Sequence, residues 1–384
     1  METSKTPKVL ILTTKGGHGL ISGSHAMREA LLEATSGNVD AEIIDFFKQY
    51  SPTGAWLTSI YNYLLRHSIW LNTFYIRTLH LIRPDRWKFF YKKPLRGLRR
   101  LLLEKKPDIL ILTSQYIVSM IGYGLSKTSR RPITFVGNID PGTSCVPLWF
   151  DDRIDFHLIP TTEAMQAYRR YGFDPKHAIK AKLNIRKCFL EAHHQKKEDV
   201  RRQYGWVQSE FVVLFAGSRE GYMGVIPMVK SVGLLNGVRI VAICGTNGEL
   251  LAKLQDLAPG LNATLEPLGW RDDVHLLMRG ADAVIAKPGK QTMKETLAVG
   301  VPLIPIDFPS VMQQELGNLE YLENREVLLK AGSIEGIANC VLQLRDDCAF
   351  RNKFLARLDS VRSGIDPSTV ARCVIDAYRA RLED

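Results

Sequence analysis

The chain reads as an α/β protein built from two doubly wound, Rossmann-like domains that face each other across an interdomain cleft. Three observations predict this. Apolar runs of strand length alternate with helix-length amphipathic segments in both halves of the 384 residues. The runs KVLILT, DILILT, FVVLFA and AVIA are apolar throughout, as strands buried on both faces of a parallel sheet must be. The alternation lapses once, in the polar stretch Asn184–Val200, which is the expected interdomain linker.

In order, Lys8–Thr13 is a buried-type strand, followed by Gly16-Gly17-His18-Gly19 and a helix through Met27–Ala34. Ala41–Asp45 is the second strand. Trp56–Ile82 reads as a long amphipathic helix or helix pair, and Arg83–Lys106 alternates basic with apolar residues. Asp108–Thr113, Ile133–Asn138 and Phe156–Pro160 are further strands. The second half restarts at Phe211–Ala216 and continues through Arg239–Cys244, a helix after Trp270, and the strand Ala283–Ala286. The expected domains are residues 1–190 and 201–365, with the last helix, within 366–384, packing back on the first domain.

Two domains of this size can each bury a core. The net charge of +11 implies attraction to an anionic partner: nucleic acid, a membrane surface or a phosphorylated substrate. The six cysteines are scattered without a CxxC, which fits a reducing compartment and neither a disulfide framework nor a zinc site. No secretory leader is visible, and no run is long and apolar enough to span a bilayer. The expected location is cytoplasmic, with membrane contact on one face only.

The densest chemistry lies in Ala283–Tyr321. Pro288-Gly289 turns the chain after a buried strand and lets backbone approach a ligand. A helix beginning at Lys290, Gln291 and Thr292 then points unpaired N–H groups above the strand, a setting that suits phosphate. Glu295 lies one turn further, and Gln314, Glu315 and Asn318 follow the next strand. A helix end for pyrophosphate with carboxylates and amides for hydroxyls makes a nucleotide-sugar site; an ordinary βαβ unit is the plainer alternative.

Other constellations are less specific. The Gly16, Gly17, His18 loop satisfies neither GxGxxG nor a P-loop, and His18 is either a proton acceptor or a turn residue bonding backbone. Asp140 ends a strand before Pro-Gly, either as a cleft carboxylate or as a good turn. Trp149 belongs at an acceptor entrance or in the core. Gly217 and Arg219 follow the strand Phe211–Ala216, with Arg219 placed to pair with phosphates or simply exposed. The segment holding Trp87, Phe89, Phe90, Lys92, Lys93 and Arg96 has the composition of an interfacial membrane element. Nucleic acid and a plain solvated face are its rivals, and the apolar Trp56–Trp70 stretch before it favours membrane over nucleic acid. No D-x-D is present, so no metal is expected.

The stretches K-P-G-K-Q-T, E-T-L, G-V-P-L-I and Q-E-L-G-N resemble the donor site of family 28 glycosyltransferases, most closely the monogalactosyldiacylglycerol synthases and diacylglycerol glucosyltransferases. The likeness runs back through Cys244-Gly245-Thr246-Asn247, the Gly217–Gly221 loop, the Asp140–Glu163 block and the Gly-His loop. It departs from the family at Lys15, Val146, Ser218, Arg219 and the Lys290-Gln291 pair. The resemblance implies a GT-B fold and an inverting transfer of a hexose from UDP-galactose or UDP-glucose to diacylglycerol at an anionic membrane surface, with no cofactor. It makes His18 the base, with Asp140 orienting base or acceptor. Pro288, Gly289, Lys290, Gln291, Thr292, Gly217, Arg219 and Gly245 surround the UDP, and Trp270 covers the uracil. Glu295 would take the ribose, Gln314 and Glu315 the hexose, and Asn318 would line the same crevice. A polyprenyl-pyrophosphate-linked acceptor and a non-catalytic UDP-sugar binder are the alternatives.

Overall fold

The computed structural model describes residues 6–15, 18–51, 54–55, 92–128, 131–217, 221–308, 311 and 313–383. By packing, the chain divides into two compact units. The first comprises Met1–Arg186, Met312–Gly317 and Asp366–Asp384; the second comprises Lys187–Val311 and Asn318–Ile365.

The first unit holds β1 (Lys8–Thr13), α1 (His18–Ala34), β2 (Asp40–Asp45), α2 (Phe46–Tyr50), α3 (Lys92–Lys105), β3 (Ile109–Leu112), α4 (Val118–Leu125), β4 (Ile133–Val136), β5 (Phe156–Ile159), α5 (Thr162–Arg170) and β6 (Ala178–Lys180). Its six strands are parallel in the order β2-β1-β3-β4-β5-β6. Period-two alternation sends Leu10, Leu12, Leu110 and Leu112 into one core and Val9, Ile11, Ile109 and Ile111 into the other. Both faces are therefore covered, which is why these strands read as unbroken apolar runs.

The second unit contains α6 (Lys187–His194), α7 (Lys197–Gln203), β7 (Phe211–Ala216), α8 (Ile226–Gly233), β8 (Val238–Ile243), α9 (Gly248–Leu257), β9 (Thr264–Leu268), α10 (Val274–Gly280), β10 (Ala283–Ala286), α11 (Lys290–Val299) and β11 (Leu303–Pro305). Its five strands are parallel in the order β11-β10-β7-β8-β9. Beyond β11 come α12 (Gln313–Glu323), α13 (Ile334–Asp346), α14 (Cys348–Arg362) and α15 (Pro367–Glu383). In the first unit, α15 packs along α1, placing Val370, Ala371, Val374 and Ile375 against Met27, Ala30 and Leu31.

The polar stretch expected to link the domains holds the helix pair α6 and α7, and the boundary between the two units, Arg186/Lys187, lies within it. Phe189 and Ala192 give α6 a buried side, and α6 packs against α10 and α11. The His193 ring Nδ1–H donates to the Val299 carbonyl at 3.0 Å. This satisfies an acceptor at the α11 C-terminus, where Gly300 (φ 79°) closes the helix in the left-handed region.

Candidate active site

Each sheet reverses its strand order once, and ligands of open α/β sheets collect at the carboxyl ends of the strands flanking such a reversal. In the second unit the reversal lies between β7 and β10, so the ends that matter are Ala216-Gly217 and Ala286-Lys287-Pro288-Gly289. In the first unit it lies between β1 and β3, at Thr13-Thr14 and Thr113-Ser114.

At the β7/β10 ends, backbone approaches backbone. A Cβ on Gly217 would lie 2.8 Å from the Ile243 carbonyl oxygen, and one on Gly221 would lie 2.5 Å from that of Cys244. Gly221 (φ 66°) and Gly245 (φ 60°) both occupy the left-handed region. Gly217 and Gly221 are thus pressed against the end of β8, where a Cβ on either would clash. Asn247 then caps α9 by accepting from the Leu250 N–H at 2.9 Å. Cys244 is buried there, and burial pushes its thiol up to about 11, so it stays protonated.

After β10, the Gly289 N–H donates to the Lys287 carbonyl at 2.7 Å, which tightens the turn. Gly289 is the N-cap of α11 and offers no side chain to the helix, so no cap competes for the first-turn N–H groups of Lys290, Gln291 and Thr292. Thirty residues on, Asn318 is buried (1% exposed) and its Nδ2 donates to the Pro288 carbonyl at 2.8 Å. This bond fixes which way the amide faces, because the reverse orientation would set oxygen against oxygen. Asn318 Oδ1 has no hydrogen-bond partner. Gln291 is buried, Thr292 and Glu295 are half-buried, and Glu315 is buried on α12. Lys287 was not singled out in the sequence; it is exposed, with its ammonium 4.1 Å from the centre of the Tyr222 ring. Trp270 is 51% exposed and its indole N–H donates to Asp272 at 3.1 Å.

In the first unit the β1/β3 ends carry paired hydroxyls. Thr14 meets Ser114 at 2.8 Å, and Ser24 of α1 meets Thr113 at 2.7 Å. The doublets Thr13-Thr14 and Thr113-Ser114, each closing an apolar run, are the sequence signal that reveals them. His18 is the first residue of α1, which follows β1 in the chain. Asp140 accepts from the Trp149 indole N–H at 2.8 Å. Trp149 is fully buried, which corrects its reading as an entrance residue: it is a core side chain that anchors the carboxylate. On α3, Leu98 and Leu101 are buried while Arg96, Arg99, Arg100 and Leu103 are exposed. Lys92 and Lys93 open that helix. Gly16, Gly17, Trp87, Phe89, Phe90 and Arg219 lie outside the described residues, and Gln314 is placed only as part of α12.

Residues 22–181 match the family model described as monogalactosyldiacylglycerol (MGDG) synthase, and residues 211–341 match the glycosyltransferase family 28 C-terminal domain. The chain is thus similar to MGDG synthases in its first half and to the C-terminal domain of family 28 glycosyltransferases in its second. Among similar proteins, the processive diacylglycerol beta-glucosyltransferase of Bacillus pumilus is 26% identical over 351 residues, covering 90% of this chain and 88% of that one. The Arabidopsis thaliana monogalactosyldiacylglycerol synthase 1 is 25% identical over 338 residues, covering 84% of this chain and 62% of that one, so the chain spans under two thirds of the plant enzyme's length. The solved structure of Acinetobacter baumannii MurG superposes with a TM-score of 0.58 at 13% identity, covering 98% of this chain and 99% of that one. That likeness speaks for the fold, and the expected GT-B class is borne out. Among the described residues, no helix is long and apolar enough to cross a membrane.

Proposed function

We propose that the chain moves a hexose from a UDP-sugar to diacylglycerol at a membrane surface, producing a glycolipid. One observation carries the reading: a single polypeptide joins an N-terminal MGDG-synthase segment to a family 28 C-terminal domain, and its relatives with both activities bear diacylglycerol in their names. Nothing beyond the donor substrate is needed as a cofactor in this reading.

The chemistry divides by unit. In the second, the open first turn of α11 accepts the diphosphate, with Lys290 and Arg219 adding positive charge as UDP departs. Glu295 takes the ribose hydroxyls; Gln314 and Glu315 of α12, which group with the first unit, take the hexose. In the first, His18 removes the proton from the acceptor hydroxyl as that oxygen attacks the anomeric carbon, which inverts its configuration. Asp140, held by the buried Trp149, orients the base or the acceptor. Neutralising the leaving group and positioning the acceptor supply most of the rate. The exposed Arg96, Arg99 and Arg100 of α3, with Leu103 beside them, form the face that meets anionic lipid from the cytoplasmic side.

The test is incubation with liposomes containing diacylglycerol and either UDP-galactose or UDP-glucose, followed by lipid analysis. A monohexosyl lipid from one donor is expected. UDP binding without any product, or transfer only to a polyprenyl-pyrophosphate-linked sugar, would overturn the proposal.

A further inference from the structure

Gln291 lies in the first turn of α11, two residues past the N-cap Gly289. Its side chain is 9% exposed, and neither Oε1 nor Nε2 has a hydrogen-bond partner. Burying an amide in that state opposes folding, and an apolar side chain of the same shape would carry no such penalty. The residue therefore does nothing for the folded chain that methionine would not do better. Such a group calls for a partner that arrives from outside.

The position narrows what that partner is. The turn before α11 is held by the Asn318 bond to Pro288, and Asn318 Oδ1 is a second buried acceptor without a partner. Phosphate oxygens only accept, and the backbone N–H groups of the helix start already suit them. An amide with donor and acceptor both unmet is matched instead by a hydroxyl, which donates to Oε1 and accepts from Nε2.

We propose that Gln291 is a specificity-determining residue of the donor site, whose amide hydrogen-bonds a hydroxyl of the hexose carried by the nucleotide. This rests on the donor-site reading above and assigns a ligand group to one side chain within it. The bonds missing in the free chain form when the sugar enters, so the sugar's arrival relieves a penalty built into the ligand-free fold.

Calorimetric titration with UDP, UDP-glucose and UDP-galactose, paired with thermal unfolding, tests the proposal on the full chain. Gln291→Met is expected to melt at a higher temperature than the parent, to bind UDP within about twofold of it, and to bind the preferred UDP-hexose about tenfold more weakly. Gln291→Leu should repeat the pattern. Unchanged UDP-hexose affinity would overturn the proposal. So would a lower melting temperature with UDP and UDP-hexose affinities falling together, the sign of a purely structural role. Equal loss for UDP and UDP-hexose at raised stability would put the hydroxyl on the ribose and end the hexose assignment. Failure of the parent chain to bind UDP at all would instead refute the donor site itself.

Discussion

The β1/β3 and β7/β10 switch points occupy the same place in their respective sheets and are built from unlike materials. At β1/β3 the strand ends carry side-chain hydroxyls bonded to one another, Thr14 to Ser114 and Ser24 to Thr113, and the following helix opens with an imidazole. At β7/β10 the strand ends carry glycine and proline, and the groups on offer are backbone N–H donors at an uncapped helix start. The first setting suits a neutral hydroxyl that must lose a proton. The second suits a dianionic group that must be held while it leaves. In the proposed reaction, one strand–turn–helix plan would serve two partners, differing in whether side chains or backbone groups are offered at the strand ends.

The comparison is broken most severely at His18. His18→Ala should lower the transfer rate by roughly 10²–10⁴-fold while UDP affinity stays within a factor of two, measured by turnover and by titration. Near-normal turnover would remove the imidazole from the chemistry. Acid should also act on the first unit. His157 is buried, and desolvation pushes its pKa from 6.5 down to about 3. The unfolded chain takes up that proton below about 6.5 and the folded one only near 3, so this contribution is complete above pH 6.5 and lost as pH falls toward 3. Urea unfolding between pH 7 and 4 should show stability falling by a few kcal/mol, and a flat profile would contradict it. On the backbone-built side, Gly221→Ala forces a Cβ toward the Cys244 carbonyl at positive φ and should cost about 2–3 kcal/mol in denaturant titration. The smallest effect is expected at Trp149→Phe, which removes the indole donor to Asp140 and should cost about 1–2 kcal/mol. A fall in turnover larger than that loss of stability would mark Asp140 as oriented for the reaction.

Much of this contrast was legible in the sequence. Strands buried on both faces announce themselves as apolar runs, so β1, β3, β7 and β10 were read within a residue or two, and the Pro288-Gly289 turn with the helix after it stood where expected. Two of the edge strands were harder. β6 is three residues long, and β9 carries Pro267 and is only half-buried, as an edge position permits. The helices α6 and α7 hid in a polar stretch because each has under three turns and few buried residues; their contacts with α10 and α11 supply what propensity lacks. Trp149 was ambiguous because a large aromatic after a proline looks the same in a core or at an opening, and only the bond to Asp140 decides. Pairings between distant residues, such as Asn318 with Pro288, carry no local signature.

The return of α15 to α1 carries a consequence for how the chain is made. Met27, Ala30 and Leu31 leave the ribosome early, yet the helix that shields them is synthesised only after the whole of Lys187–Ile365. At bacterial or eukaryotic elongation speeds, that greasy stripe stays bare for roughly ten seconds or more. Nascent chains of this protein should therefore be customers for a holding chaperone until their final turns emerge.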